Sequence, residues 1–133
     1  MTQVAKQFGR FVVVGASNTL LSLAVYLLLL AVGVPYLVSA ALGFAVGAAN
    51  GYLLNRWWTF SAPPASPRQV GAYLTVQVVG LLITVGVVGL LHGHAPALVG
   101  QAVAIPLATV AMFSLNRTWT FAIPSPSSRG AYN

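Results

Sequence analysis

The stretch Asn55-Arg56-Trp57-Trp58-Thr59-Phe60 returns sixty-one residues later as Asn116-Arg117-Thr118-Trp119-Thr120-Phe121, identical at five of six positions. Each copy closes a run with no charged side chain: 45 residues lie between Arg10 and Arg56, and 48 between Arg68 and Arg117. An apolar run that ends in arginine and aromatics reads as a helix leaving a bilayer. Tryptophan settles at the headgroup level, and arginine reaches lipid phosphate. The chain therefore reads as one unit written twice, each copy ending in the same collar.

About 20 residues of helix cross the roughly 30 Å of hydrocarbon, so each run holds two crossings. The breaks are Gly33-Val34-Pro35 in the first run and His92-Gly93-His94-Ala95-Pro96 in the second, both turn-forming clusters. Helices are predicted over 11–32, 36–54, 72–91 and 97–115. They form repeats over about 9–60 and 71–121, with Phe11 matching Tyr73 and Pro35 matching Pro96. Two crossings per repeat give both copies the same orientation, making them parallel repeats about an axis along the membrane normal. The expected fold is an all-α membrane protein of four transmembrane helices in one domain spanning residues 1–133. A polar loop is expected over 61–69, holding Arg68, and a mobile tail from Pro124 onward. The first apolar run exceeds the 7–15 residues of a signal-peptide core, so it is read as a retained helix.

Composition sets the class independently. The chain of 133 residues is 58% hydrophobic and 5% charged, with a mean hydropathy of +0.86. A soluble domain carries about 25% charged residues. The cations are Lys6, Arg10, Arg56, Arg68, Arg117 and Arg129; Asp and Glu are absent, leaving a net charge of +6. Those charges need anions outside the chain. Nucleic-acid binders line a groove with many cations, whereas these few stand only at the ends of apolar runs, as suits anionic or phosphorylated lipid. Four crossings bring both termini and the middle loop, with all six cations, to one side. By the positive-inside rule that side is cytoplasmic; the expected location is the cell (inner or plasma) membrane. Without carboxylates or cysteine, no acid–base dyad or thiolate site can be assembled. Ser and Thr have no base in reach, and His92 and His94 lack a third ligand. No enzyme activity, cofactor or metal is expected.

Within the membrane, Ser39, Gly43, Gly47 and Gly51 recur every fourth residue and share one helix face, where small side chains let backbones approach closely. Gly100, Ala104 and Ala108 echo them. This face reads as a packing seam, within the bundle or across a homo-oligomer, or as a sliding seam in a transporter. Pro106 predicts a kink in the fourth helix. Amides in hydrocarbon need partners. Asn18, Asn50, Gln77 and Gln101 are therefore expected to face inward, as interhelical pins or as contacts to a sugar or phosphate. Asn18 and Asn50, level with the arginines, are the amides predicted to touch substrate. Arg56 and Arg117 offer the planar fork that suits phosphate.

The signature Phe11-x-x-x-Gly15-x-x-Asn18-Thr19-Leu20, the small-residue second helix, and the closing Asn50-Gly-Tyr-Leu-Leu-Asn55-Arg56-Trp57-Trp58-Thr59-Phe60 resemble the GtrA-like family. The likeness covers about residues 8–121, with one extra residue between the two asparagines. Gln77 and Gly80 stand where the first repeat has Gly15 and Asn18, so the halves cannot be chemically equivalent. The resemblance implies a four-helix protein of cell-envelope polysaccharide synthesis that moves a polyprenyl-phosphate-linked monosaccharide across the membrane, often beside a glycosyltransferase. It places Asn18, Asn55, Arg56, Trp58, Asn116, Arg117 and Trp119 at motif positions. The expected substrate contacts are these seven together with Asn50. Lacking a membrane carboxylate for a proton relay, movement is expected to be equilibrative. The alternative is a non-transporting adaptor that recruits or anchors a polyprenyl-phosphate glycosyltransferase. A proton-coupled cation exporter is disfavoured for want of the same carboxylate.

Overall fold

The computed structural model describes residues 2–122; Arg129 and the tail predicted from Pro124 lie outside the described residues. The chain divides into two compact units, Met1–Ser61 and one from Ala62 on, each an antiparallel helical hairpin. The first pairs α1 (Gln3–Ala31) with α2 (Tyr36–Leu54), and the second pairs α3 (Pro67–Leu91) with α4 (Ala97–Leu115). No strand is formed among the described residues. Among the described residues, four helices are long and apolar enough to cross a membrane. Large apolar side chains such as Leu28, Leu37, Leu82 and Leu98 lie exposed, as fits a multi-pass membrane protein whose outer faces meet acyl chains.

The cation-bearing ends differ from the expected helix limits. Hydropathy places the helix starts at 11 and 72, where the apolar runs begin, yet α1 starts at Gln3 and α3 at Pro67. Local capping decides both. The Thr2 side chain accepts from the Ala5 N–H at 3.1 Å, and Ser66 accepts from the Gln69 N–H at 3.1 Å. Such caps satisfy donors that have no partner in the first turn, and Pro67 enters where no N–H is needed. Lys6, Arg10 and Arg68 therefore ride on helix rather than loop, and the connection shortens to residues 61–66.

At the other end of the first hairpin, Gly33 takes φ +91°, its N–H bonds the Leu30 carbonyl, and the Val34 N–H reaches back to Leu29 at 3.0 Å. This is the double closure that a left-handed glycine permits after a helix. Pro35 then opens α2. The second hairpin turns through Gly93, at φ +84°.

Both returning helices end in π-turns, over Asn55–Thr59 and Asn116–Thr120. The Phe60 N–H bonds the Asn55 carbonyl, and the Phe121 N–H bonds that of Asn116, each five residues back at 2.9 Å. The wider ring carries one extra residue through the turn, a geometry frequent at functional positions. In both copies Asn, Thr and the closing Phe are buried.

The seam of Ser39, Gly43, Gly47 and Gly51 is buried and lies against α1 of the same hairpin. A Cβ on Gly43 would come within 2.7 Å of the Ser22 carbonyl oxygen, and one on Gly47 would meet the Ser22 hydroxyl and the Asn18 carbonyl. Of the packings left open for this face, the one within the hairpin is formed: α1 covers it. In the second hairpin Gly100, Ala104 and Ala108 are buried likewise. Gly80, at the Asn18 position, makes room for the Met112 thioether. Pro106 lies inside α4, which runs through it without interruption.

Candidate functional site

Each hairpin carries a candidate site of its own, the collar at its end. In the first, Phe11 of α1 meets Phe60 with ring centroids 6.3 Å apart and planes at 55°. In the second, Tyr73 meets Phe121 at 6.2 Å and 53°. Tilted pairs at this spacing bring the positive edge of one ring toward the face of the other, so each ring pair ties a collar to the opening helix of its own hairpin.

Two cations outside the repeated motif, Arg10 and Arg68, also belong to the collars. Arg10 Nη1 donates to the Trp58 carbonyl at 3.0 Å, and its guanidinium lies 5.2 Å from the Trp58 ring centroid. Arg68 Nη2 donates to the Trp119 carbonyl at 3.0 Å. The last carbonyls of a helix have no helical donor and sit at the negative end of its dipole. A guanidinium from the antiparallel neighbour answers both conditions. The sequence signal was a basic residue just ahead of each repeat's first aromatic: Arg10 directly before Phe11, and Arg68 within two turns of Tyr73.

The motif residues divide by direction. Asn55 and Thr59 point inward at 3% and 2% exposure, and the Thr59 hydroxyl donates to Asn55 Oδ1 at 2.8 Å. Arg56 is half-buried, and its Nε has no hydrogen-bond partner among the described residues. Trp57 stands outward at 73% exposure, Trp58 is half-buried, and Arg117 and Trp119 are exposed. In the second collar Asn116 and Thr120 are as deeply buried as their counterparts. Yet both amide atoms of Asn116 and the Thr120 hydroxyl lack a partner among the described residues.

Of the amides expected inside the membrane, Asn18 and Asn50 find each other. Asn50 Nδ2 donates to Asn18 Oδ1 at 2.7 Å, with Ser17 Oγ at 3.4 Å. The pair pins α1 to α2 one step in from the collar, which is the interhelical alternative. Gln77 bonds the side chain of Tyr73, one helical turn away. Gln101 is exposed, beside a 320 Å³ groove at the far end of the second hairpin that Thr84, Val88 and His92 also line. No group of three metal-ligating side chains occurs among the described residues.

What the collars offer chemically is therefore narrow: guanidinium donors, an indole face, and buried amide and hydroxyl groups. No carboxylate accompanies them, since the chain contains none. Such a set is chemically suited to an anion or a hydroxyl-bearing headgroup.

The sequence profile described as "GtrA/DPMS, transmembrane domain" matches residues 10–121. The protein titled "Uncharacterized membrane protein YngA" of Bacillus subtilis (strain 168) is 31% identical over 118 residues, covering 87% of this chain and 80% of that protein.

Proposed function

The chain belongs to the GtrA/DPMS transmembrane-domain family, a generally non-catalytic family of membrane proteins tied to polysaccharide synthesis, and from that premise we propose that it translocates a polyprenyl-phosphate-linked monosaccharide across the plasma membrane. Arg56 or Arg117 holds the lipid phosphate from the cytoplasmic side while the polyprenyl tail stays among the acyl chains. The observation that carries this reading is Arg56: its half-buried guanidinium leaves Nε without an acceptor, in a chain that has no acidic side chain to offer one. A partly desolvated guanidinium binds phosphate more strongly than one in bulk water. Indole rings at the collars suit the headgroup level. With no membrane carboxylate to carry protons, movement runs down the gradient of the sugar lipid, sustained by consumption of the sugar on the far side.

The test is reconstitution. Pure protein in proteoliposomes should equilibrate a short-chain prenyl-phosphate hexose between leaflets, without a proton gradient. Arg56→Gln and Arg117→Gln should each slow the movement by about tenfold, the worth of one charge-assisted hydrogen bond. A pure protein that moves no lipid, yet restores activity to a co-reconstituted polyprenyl-phosphate glycosyltransferase, would instead establish the adaptor. A homo-oligomer in either role uses outward faces, because the glycine seam is filled.

A further inference from the structure

The two collars share five of six residues but not the same state. In the first, Thr59 closes on Asn55 and satisfies both groups in part. In the second, the same amide and hydroxyl sit at 0% and 1% exposure, and neither bonds anything among the described residues. Native proteins seldom leave three buried polar atoms without partners, since each loses its hydration and receives nothing in return. The unmet set is two N–H donors and one carbonyl acceptor on Asn116, with a hydroxyl on Thr120 that does both.

That set identifies its complement. In this geometry Thr120 does not donate to the Asn116 carbonyl, and a phosphate oxygen only accepts, so it would leave that carbonyl unmet. A hydroxyl both donates and accepts, and an alcohol-rich headgroup can answer all three atoms. We infer that the second collar is a binding site for the hydroxyls of a sugar headgroup, whereas Asn55–Thr59 in the first is a structural clasp. The inference rests on the translocation reading for the identity of the lipid and deepens it by separating the roles of two near-identical motifs. The site is closed in this structure, and a ligand enters by local opening of the second π-turn.

The consequence is opposite effects from matching substitutions. Thr59→Val removes the donor of a formed bond, so it should lower the melting temperature of the ligand-free protein in detergent. Thr120→Val removes an unmet hydroxyl at constant shape, so ligand-free stability should hold or rise. Binding is read by the thermal shift with two probes, a short-chain prenyl phosphate and the same lipid carrying a hexose. The hexose should tighten binding to the native protein and to Thr59→Val about tenfold over the bare phosphate, roughly the worth of one or two net hydrogen bonds. Thr120→Val, and Asn116→Ala as a second probe of the same pocket, should erase that difference while keeping the bare phosphate bound.

A hexose advantage that survives both second-collar variants overturns the inference and leaves the phosphate reading standing. Equal loss of ligand-free stability in Thr59→Val and Thr120→Val also overturns it, because it assigns a resident water or a rotated hydroxyl to the second collar. Failure of the native protein to bind either probe overturns the translocation reading instead, separately from the stability comparison.

Discussion

Gly43→Ala and Gly80→Ala add the same methyl group at buried helix crossings, yet they should differ in cost because of what the methyl meets. At Gly43 the new Cβ lies 2.7 Å from the Ser22 carbonyl oxygen and 3.4 Å from the Tyr26 nitrogen, both main chain. Carbon–oxygen contacts settle near 3.3 Å or beyond, so α1 and α2 must part by roughly 0.6 Å. Separation also weakens the tight contacts along the rest of the seam, where Gly47 meets Ser22 and Asn18. Overpacking of this kind costs about 1–3 kcal/mol. At Gly80 the obstacle is the Met112 thioether, the end of a side chain with three rotatable bonds that refills space readily. There the better helix propensity of alanine, about 0.8–1 kcal/mol, offsets most of the crowding. Expected losses are therefore about 1–2 kcal/mol for Gly43→Ala, within the overpacking range, and near zero for Gly80→Ala. Reversible unfolding in mixed detergent micelles, followed by circular dichroism, measures both. Equal losses, or a larger one at Gly80, would refute the reasoning that main-chain contact sets the price.

The Asn18–Asn50 amide pair should show a coupling of about 0.6–1.7 kcal/mol in a double-mutant cycle of alanine variants, the range of interhelical hydrogen bonds in membranes; zero coupling would remove the pin. Gly33→Ala meets nothing within 4 Å but keeps φ +91°, so it should cost about 1–2 kcal/mol from backbone strain alone, measured by the same unfolding titration. Because the chain has no cysteine, Ala65→Cys and His94→Cys can be labelled singly in sealed vesicles. The membrane-impermeant reagent should reach Ala65→Cys only from the cytoplasmic side and His94→Cys only from the other. Labelling of both from one side would reverse the proposed crossing pattern.

What could be read from the residues followed from where water begins. The breaks at Pro35 and Pro96 and the closing Asn-Arg pairs mark the ends of α2 and α4, because an apolar run stops where a charge must reach solvent. The starts of α1 and α3 escaped the same logic. Hydropathy reports where lipid ends, but Thr2 and Ser66 decide where the helix begins, and each lies outside the apolar run. The π-turns left no trace in composition, since a ring of five residues uses the same side chains as a ring of four. The pairing of Asn55 with Thr59 is a contact that the i, i+4 spacing allows, yet Asn116 and Thr120 at the same spacing do not make it, so residue type and spacing alone could not give it. Asn18 and Asn50 show the limit of residue type as a guide: an amide in hydrocarbon announces a partner without saying whether it is ligand or neighbour. The capping of Trp58 and Trp119 by Arg10 and Arg68 needed the antiparallel register before it could be seen.

The turn at Gly33 has a bearing on biogenesis. Its Leu29 and Leu30 carbonyls are already answered by Val34 and Gly33, and no charged residue lies between Arg10 and Arg56. On the proposed crossing pattern, a loop so furnished would pass the insertion machinery with little to dehydrate, and the first pair of helices would enter the bilayer together, held back by their basic ends.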